Sequence, residues 1–483
     1  TMNYIYKLNL NFSSLMNKSI LKYKKLLFNL KEAIAGNEQD FTKGSMRRAI
    51  FLLAVPMVIE MIMEAIFAVV DIFFVAQLGA DAIATVGITE SLITIVYAIA
   101  VGLSMATTAM VSRRIGEKDK KGAGRAAFQS IITGIFVSLI IAIPGIIFAE
   151  DLLRLMGSSE NMYSNMSGYT SIMLGGNMVI MLLFIINAIF RSAGDAAISM
   201  RILIIANLLN IVLDPILIFG LGPIPAFGIT GAAIATNIGR GLAVLYQFYL
   251  LFNGRKRVQL TSYNIRIHVA TIHQLLKLSL GGIGQHLIAT SSWIGLVRII
   301  SVFGSDALAG YTIAIRVIVF SLLPAWGISN AAATLVGQNL GANQPERAAK
   351  SVWSVGKVNI VYMGLIGVIL FLIPSSILHL FTDDIAIITS GISSLRIISM
   401  GFVFYGLGMV MVQALNGAGD TVTPTWINLF SFWLLEIPLA YLMAIQFNIG
   451  ESGVYYAIII AETTMALAAV WFFRLGKWKL KVV

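Results

Sequence analysis

Two stretches lying 225 residues apart constrain the architecture more than anything else in this chain. FRSAGD at 190–195 recurs as LNGAGD at 415–420, and GADAIATVGI at 79–88 recurs as GSDALAGYTI at 304–313. Gly102 and Gly116, which bracket GLSMATTAMVSRRIG, fall on Gly327 and Gly341 of GISNAAATLVGQNLG. A register held across such distant segments means that the chain is two copies of one unit of roughly 225 residues.

The unit is built for lipid. Hydrophobic residues make up 58% and charged residues 12%, with a mean hydropathy of +0.86. A soluble domain is about half apolar and a quarter charged, so this is an integral membrane protein. Apolar runs long enough to span, at roughly 20 residues each, lie at 47–77, 83–112, 124–149, 163–190, 198–220, 228–252, 272–302, 307–337, 349–378, 386–415, 422–446 and 452–475. The runs are too long for barrel strands and lack a two-residue alternation. The expected fold is all-α: twelve transmembrane helices forming two six-helix bundles related by the internal repeat. The boundaries read as a basic segment 1–45, a first bundle 46–253, a linker 254–271, a second bundle 272–477 and a tail 478–483. A duplicated membrane bundle is the signature of a transporter whose site lies between the halves.

The formal charge of +11 raises nucleic acid as a partner, but the basic residues sit at the ends of apolar runs and instead report topology. Nine precede position 49, six follow the second run (Arg113, Arg114, Lys118, Lys120, Lys121, Arg125), and the end of the chain carries Arg474, Lys477, Lys479 and Lys481. The alternate connections carry almost none. This places both termini in the cytoplasm of a multi-pass inner-membrane protein. Residues 1–45 are basic and mildly amphipathic, suited to lying on an anionic leaflet, though a loose tail fits equally well. There are no cysteines and only four histidines, so thiolate sites are excluded and a zinc cluster is unsupported.

The chemistry lies in carboxylates that do not belong in a membrane. A charge at mid-bilayer costs about 2.5–3.5 kcal/mol even on the lenient insertion scale, so each must face a cavity or a partner. The first run carries Glu60, Glu64 and Asp71, whose spacing puts all three on one helical face. The fifth carries Asp214, with Asn210 one turn before it and Pro215 after it; the sixth carries Thr236. Counting at about 1.5 Å per residue puts Asp71, Asp214 and Thr236 in the outer half of the first copy. Two carboxylates, an amide and a hydroxyl at one level form an oxygen-rich pocket for a hard monovalent cation or a shared proton. Structural readings compete. Asp214 could serve the helix turn that Pro215 disrupts, Asp71 could pair with Arg240, and Glu60 and Glu64 could be interhelical hydrogen-bond glue. Glycines such as Gly102, Gly134, Gly282 and Gly408 suit sliding helices or simply tight packing.

With these residues in place, the chain resembles the multidrug and toxic compound extrusion (MATE) transporters over about 46–477. The resemblance rests on LAVPM at 53–57, VVDIFFVAQLG at 69–79, RRIGEKD at 113–119, FRSAGD at 190–195, and above all NIVLDPILIFG at 210–220 followed by GITGAAIAT at 228–236. It implies two six-helix bundles around a central cleft and drug export coupled to inward flow of Na⁺ or H⁺, with no other cofactor. Position by position, it implies a cation or proton site at Asp71, Asn210, Asp214 and Thr236, with Asn187 as a further polar position that the depth count puts nearer the cytoplasm. Pro56 matches a proline whose kink in the first helix changes with protonation. NorM-type members carry acids in helices 7 and 10. Here the seventh run has Gln285 and His286 but no acid, and the tenth carries Arg396, so the pattern is more like the DinF branch. Glu60 and Glu64 lie outside the general motif and are expected to bind substrate, favouring cations.

The expected activity is therefore secondary antiport of small organic compounds by a monomer in the bilayer, with nucleic acid excluded as a partner. A lipid-linked oligosaccharide or lipid flippase of the same superfamily is the alternative, kept open by Arg240, Arg298, Arg316 and Arg396. No HExxH, GxSxG or Walker sequence occurs, which argues against an enzyme and against ATP drive.

Overall fold

A computed structural model describes residues 27–36, 39–253, 257–261 and 264–483. Most of the basic segment 1–45 and part of the 254–271 linker therefore lie outside the described residues. Among those described, the chain is helical, with a single isolated bridge between Leu221 and Ile224. Helices α1 (Met46–Ala76), α2 (Ala80–Gly116), α3 (Lys120–Ile147), α4 (Ser167–Ala193) and α5 (Ala196–Phe219) are each long and apolar enough to span. So are α7 (Val269–Phe303), α8 (Ser305–Gly341), α9 (Pro345–Leu372), α11 (Val422–Gln446) and α12 (Glu451–Arg474). The eleventh span, α10, is a pair, Ile385–Ser399 and Phe402–Gly417, bent by 56°. Helix α6 (Ile229–Phe252) is long enough at 24 residues but falls short in apolar character, interrupted as it is by Asn237, Arg240 and Gln247. The twelve expected segments are thus all helical, and ten or eleven of them qualify as spans.

Helices α1–α6 pack together, as do α7–α12, and the two bundles meet where α1 crosses α8 and α2 crosses α7 and α8. Glycines bring these crossings to backbone contact. A Cβ on Gly116 would lie 2.0 Å from the Gln338 carbonyl oxygen, and one on Gly341 would lie 2.1 Å from that of Arg113. Gly327 abuts the Met57 carbonyl, and Gly102 abuts Ser279 and Ile283. These contacts occupy the half of the molecule that holds the start of α1 and the end of α12. In the other half the bundles part. Met61, Ile62, Ile66 and Val69 of α1 face Phe320 and Pro324 of α8 across an apolar cavity of 370 Å³. The molecule is closed on its terminus side and open on the opposite side.

Two chain segments strap the closed side. Arg257 donates to the Gln39 carbonyl at 2.7 Å and to that of Ala193, while Arg347 at the start of α9 donates to the carbonyls of Phe41, Lys43 and Gly44. Residues 39–44 thereby link one bundle to the other. At the far end of the chain, Trp478 is buried and stacks on Phe473. Beyond it, Arg113 and Arg114 of α2 donate to the carbonyls of Lys481 and Val483, and Val483 is buried against the core of the first bundle.

Candidate functional site

Helices α5 and α6 are held close by glycine. Gly231 meets the Leu217 carbonyl and Gly239 meets that of Ala206, so polar side chains on facing turns are brought within hydrogen-bond range. Asn210 Nδ2 donates to Asp214 Oδ1 and to Thr236 Oγ1, each at 3.2 Å. All three residues are buried. Asp71 on α1 lies within electrostatic reach of Asp214. Three of the four residues expected to form the ion site thus share hydrogen bonds between α5 and α6, and Asp71 faces them within electrostatic reach.

The cluster leaves acceptors without partners. Asp71 Oδ1, Asp214 Oδ2 and Asn210 Oδ1 are buried and accept no hydrogen bond. A buried acceptor without a partner costs about 1–3 kcal/mol, and more when charged, so such oxygens are stable only where something positive or protic visits them. A monovalent cation coordinated by oxygen, or a proton shared between the carboxylates, meets that need.

Asn187 belongs to a different group. Its Oδ1 accepts from Gln247 at 2.7 Å, and its Nδ2 donates to Glu60 Oε1 at 3.3 Å. Glu60 also pairs with Arg191 at 2.8 Å. This quartet of buried Glu60, Asn187 and Gln247 with the half-buried Arg191 lies nearer the closed side, as the depth count implied for Asn187. Glu60 does not line the cleft as expected: its side chain is 3% exposed, because α4 supplies an arginine that draws it inward. Glu64, by contrast, has a side chain 29% exposed and pairs with Arg240 of α6 at 2.8 Å. Arg240 thus takes Glu64 rather than Asp71 as its salt-bridge partner. Pro56 is buried within α1, which continues through it as one helix.

Three intramembrane acids escaped the sequence reading. Glu90 on α2 lies within electrostatic reach of Asp71 and of Arg316 on α8. Glu436 on α11 is buried and accepts from Ser292 Oγ at 2.8 Å, and Glu462 on α12 lies within its electrostatic reach. Each sits inside an apolar run, so the criterion that singled out Asp71 would have found all three. Gln285, noted for replacing an acid in the seventh run, exchanges hydrogen bonds with Asn416. Two of the four arginines that kept the flippase alternative open have other partners: Arg240 is committed to Glu64, and Arg396 donates to the Phe371 carbonyl.

The fold has counterparts among known proteins. The MatE family model matches residues 56–216 and again 283–442, one match in each repeat. The chain is 26% identical over 445 residues to the "Probable multidrug resistance protein NorM" of Thermotoga maritima, covering 90% of this chain and 94% of that one. It is 25% identical over 421 residues to the "FAD transporter" of Shewanella oneidensis, covering 87% and 93%. Among solved structures it resembles the "Outward-facing conformation of a multidrug resistance MATE family transporter of the MOP superfamily", with a TM-score of 0.85 at 25% identity over 92% of this chain and 99% of that one.

Proposed function

The chain belongs to the MatE family of multi-pass membrane transporters, and from that premise we propose that it is a secondary antiporter exporting organic compounds in exchange for Na⁺ or H⁺. The coupling ion binds at Asp71, Asn210, Asp214 and Thr236. The observation that carries this reading is the set of buried oxygens without partners on Asp71, Asn210 and Asp214. Coupling confined to the first bundle is the DinF-like arrangement. With both termini cytoplasmic in the inner membrane, the open side faces outward, where the coupling ion enters.

Substrates are organic cations, because Glu90 of α2 is exposed and Glu64, although paired with Arg240, keeps a side chain 29% exposed. A relative named for FAD transport makes anionic cargo the competing outcome. Antiport follows from linkage: neutralising Asp71 and Asp214 removes their mutual repulsion and weakens the hold on a bound organic cation, so ion and substrate exclude each other.

The test is ethidium efflux from proteoliposomes containing the monomeric full chain, under Na⁺ and pH gradients imposed separately. One gradient is expected to drive wild-type efflux, and Asp71→Asn or Asp214→Asn should abolish it while leaving thermal stability unchanged. Amide replacement keeps size and hydrogen bonding but removes the charge. Full gradient-driven efflux by either variant refutes the ion-site assignment.

A further inference from the structure

Glu64, Phe67 and Asp71 follow one another on α1 at intervals of three and four residues, forming one stripe. The guanidinium of Arg240, reaching from α6, lies on that stripe. It donates to Glu64 Oε1 at 2.8 Å and to Tyr97 OH at 3.3 Å, and it rests 4.7 Å from the centroid of the Phe67 ring. Arg240 is 3% exposed, and its Nε has no hydrogen-bond partner. Oε2 of Glu64 and Oδ1 of Asp71 are likewise buried without partners. A desolvated cation thus stands on a ring midway between two carboxylates, attached to one and within electrostatic reach of the other.

The groups that bear on Asp71 from neighbouring helices are Glu90 on α2, Tyr169 on α4, Asp214 on α5 and Arg240 on α6. Arg240 is the cation among them. When a bound ion leaves, the carboxylates would be stranded in low dielectric unless a positive charge took its place. Glu64 and Asp71 are two turns apart, about 10 Å along the helix axis, and the guanidinium already stands over Phe67 between them, so a rotamer change of the long arginine side chain can carry it from one to the other. The aromatic face beneath it holds a cation at either end of the path.

We propose that Arg240 is a built-in competitor for the coupling cation: paired with Glu64 it leaves Asp71 open to the ion, and turned along Phe67 it binds Asp71 and expels the ion. Glu64 is then the parking site of the competitor. This rests on the ion-site reading above and adds a releasing residue to it.

The experiment measures cation binding to the purified full chain, with ²²Na⁺ in one arm and proton uptake, followed by a pH indicator at fixed Na⁺, in the other. Glu64→Gln removes the parking site, and the freed guanidinium should weaken cation affinity about tenfold or more, since an opposite charge within a few ångströms shifts a carboxylate by 1–3 pKa units. Arg240→Gln should tighten binding by a similar factor while slowing ethidium efflux, and the double variant should bind as tightly as Arg240→Gln alone. A merely structural strut moves the melting temperature and gives no such rescue. Unchanged affinity in Glu64→Gln, or a double variant as weak as Glu64→Gln, overturns the proposal. Should Arg240→Gln fail to fold, Glu64→Gln with Arg240→Lys, which keeps the charge, should still bind weakly, and wild-type affinity there overturns it too. Asp71→Asn separates the two readings: if it binds cation like wild type, the ion site itself is wrong, whereas loss of binding there with an unaltered Glu64→Gln removes only the role of Arg240.

Discussion

Gly116→Ala should shift the protein away from the conformation described here without unfolding it. The added Cβ would lie 2.0 Å from the Gln338 carbonyl oxygen, whereas ordinary contact begins at 3.4 Å, so α2 and α8 must separate by about 1.4 Å at this crossing. The obstructing atom is backbone and cannot turn aside as a side chain would. Overpacking of this kind costs about 1–3 kcal/mol. Alternating access requires the two bundles to part on this side, so the cost falls on the closed state alone and the equilibrium moves by roughly 5- to 150-fold. With no native cysteine, spin labels at Lys120→Cys and Lys350→Cys report the closed side, and labels at Ala84→Cys and Thr312→Cys report the open one. Pulsed electron paramagnetic resonance should show the first distance lengthening and the second shortening. Gly341→Ala, whose Cβ would meet the Arg113 carbonyl at 2.1 Å, should do the same; Gly87→Ala, also on α2 but with nothing within 4 Å, should not. Wild-type distances in a folded Gly116→Ala protein would refute the claim that this crossing is the closure.

Two further outcomes are expected. Arg191→Gln strands the Glu60 carboxylate in the interior, and breaking a buried pair from one side costs about 3–5 kcal/mol; thermal unfolding in detergent should show a large loss that Glu60→Gln/Arg191→Gln largely restores, and a single variant as stable as wild type refutes the pair's role. A cysteine at Ser305 or Ser452 should react with an impermeant maleimide from outside the cell, and one at Lys120 should not; the reverse pattern overturns the orientation and with it the outward-open assignment.

The spans and the pairing of bundles were legible because lipid demands long uninterrupted apolar helices, and the repeat sets their number. The polar set Asp71, Asn210, Asp214 and Thr236 was legible for the same reason: a carboxylate in hydrocarbon must have a purpose, and helical spacing shows which ones share a level. What the sequence did not reveal is helix rotation. Whether Arg240 meets Glu64 or Asp71 depends on how α6 is seated against α5 and α1, and the backbone contacts at Gly231 and Gly239 set that seating. Glu60 was assigned to the cleft because it shares a face with Glu64, but the single turn between them is enough to bring it under Arg191 and out of solvent. The 56° bend in α10 and the π turns of α11 at Leu429–Glu436 were likewise not anticipated.

Segment Lys477–Val483 makes the protein sensitive to what is attached to it. The segment follows the second bundle, yet the carbonyls of Lys481 and Val483 are held by Arg113 and Arg114 of the first, across the seam that alternating access parts. Any chain that continues past Val483, an added purification handle or fluorescent reporter included, would load that seam directly. One placed ahead of α1 would load the strap at residues 39–44, which Arg257 and Arg347 hold from opposite bundles. Apparent differences in turnover between differently tagged preparations would then report the tag's pull on the resting state, and the untagged protein is the proper reference for rate measurements.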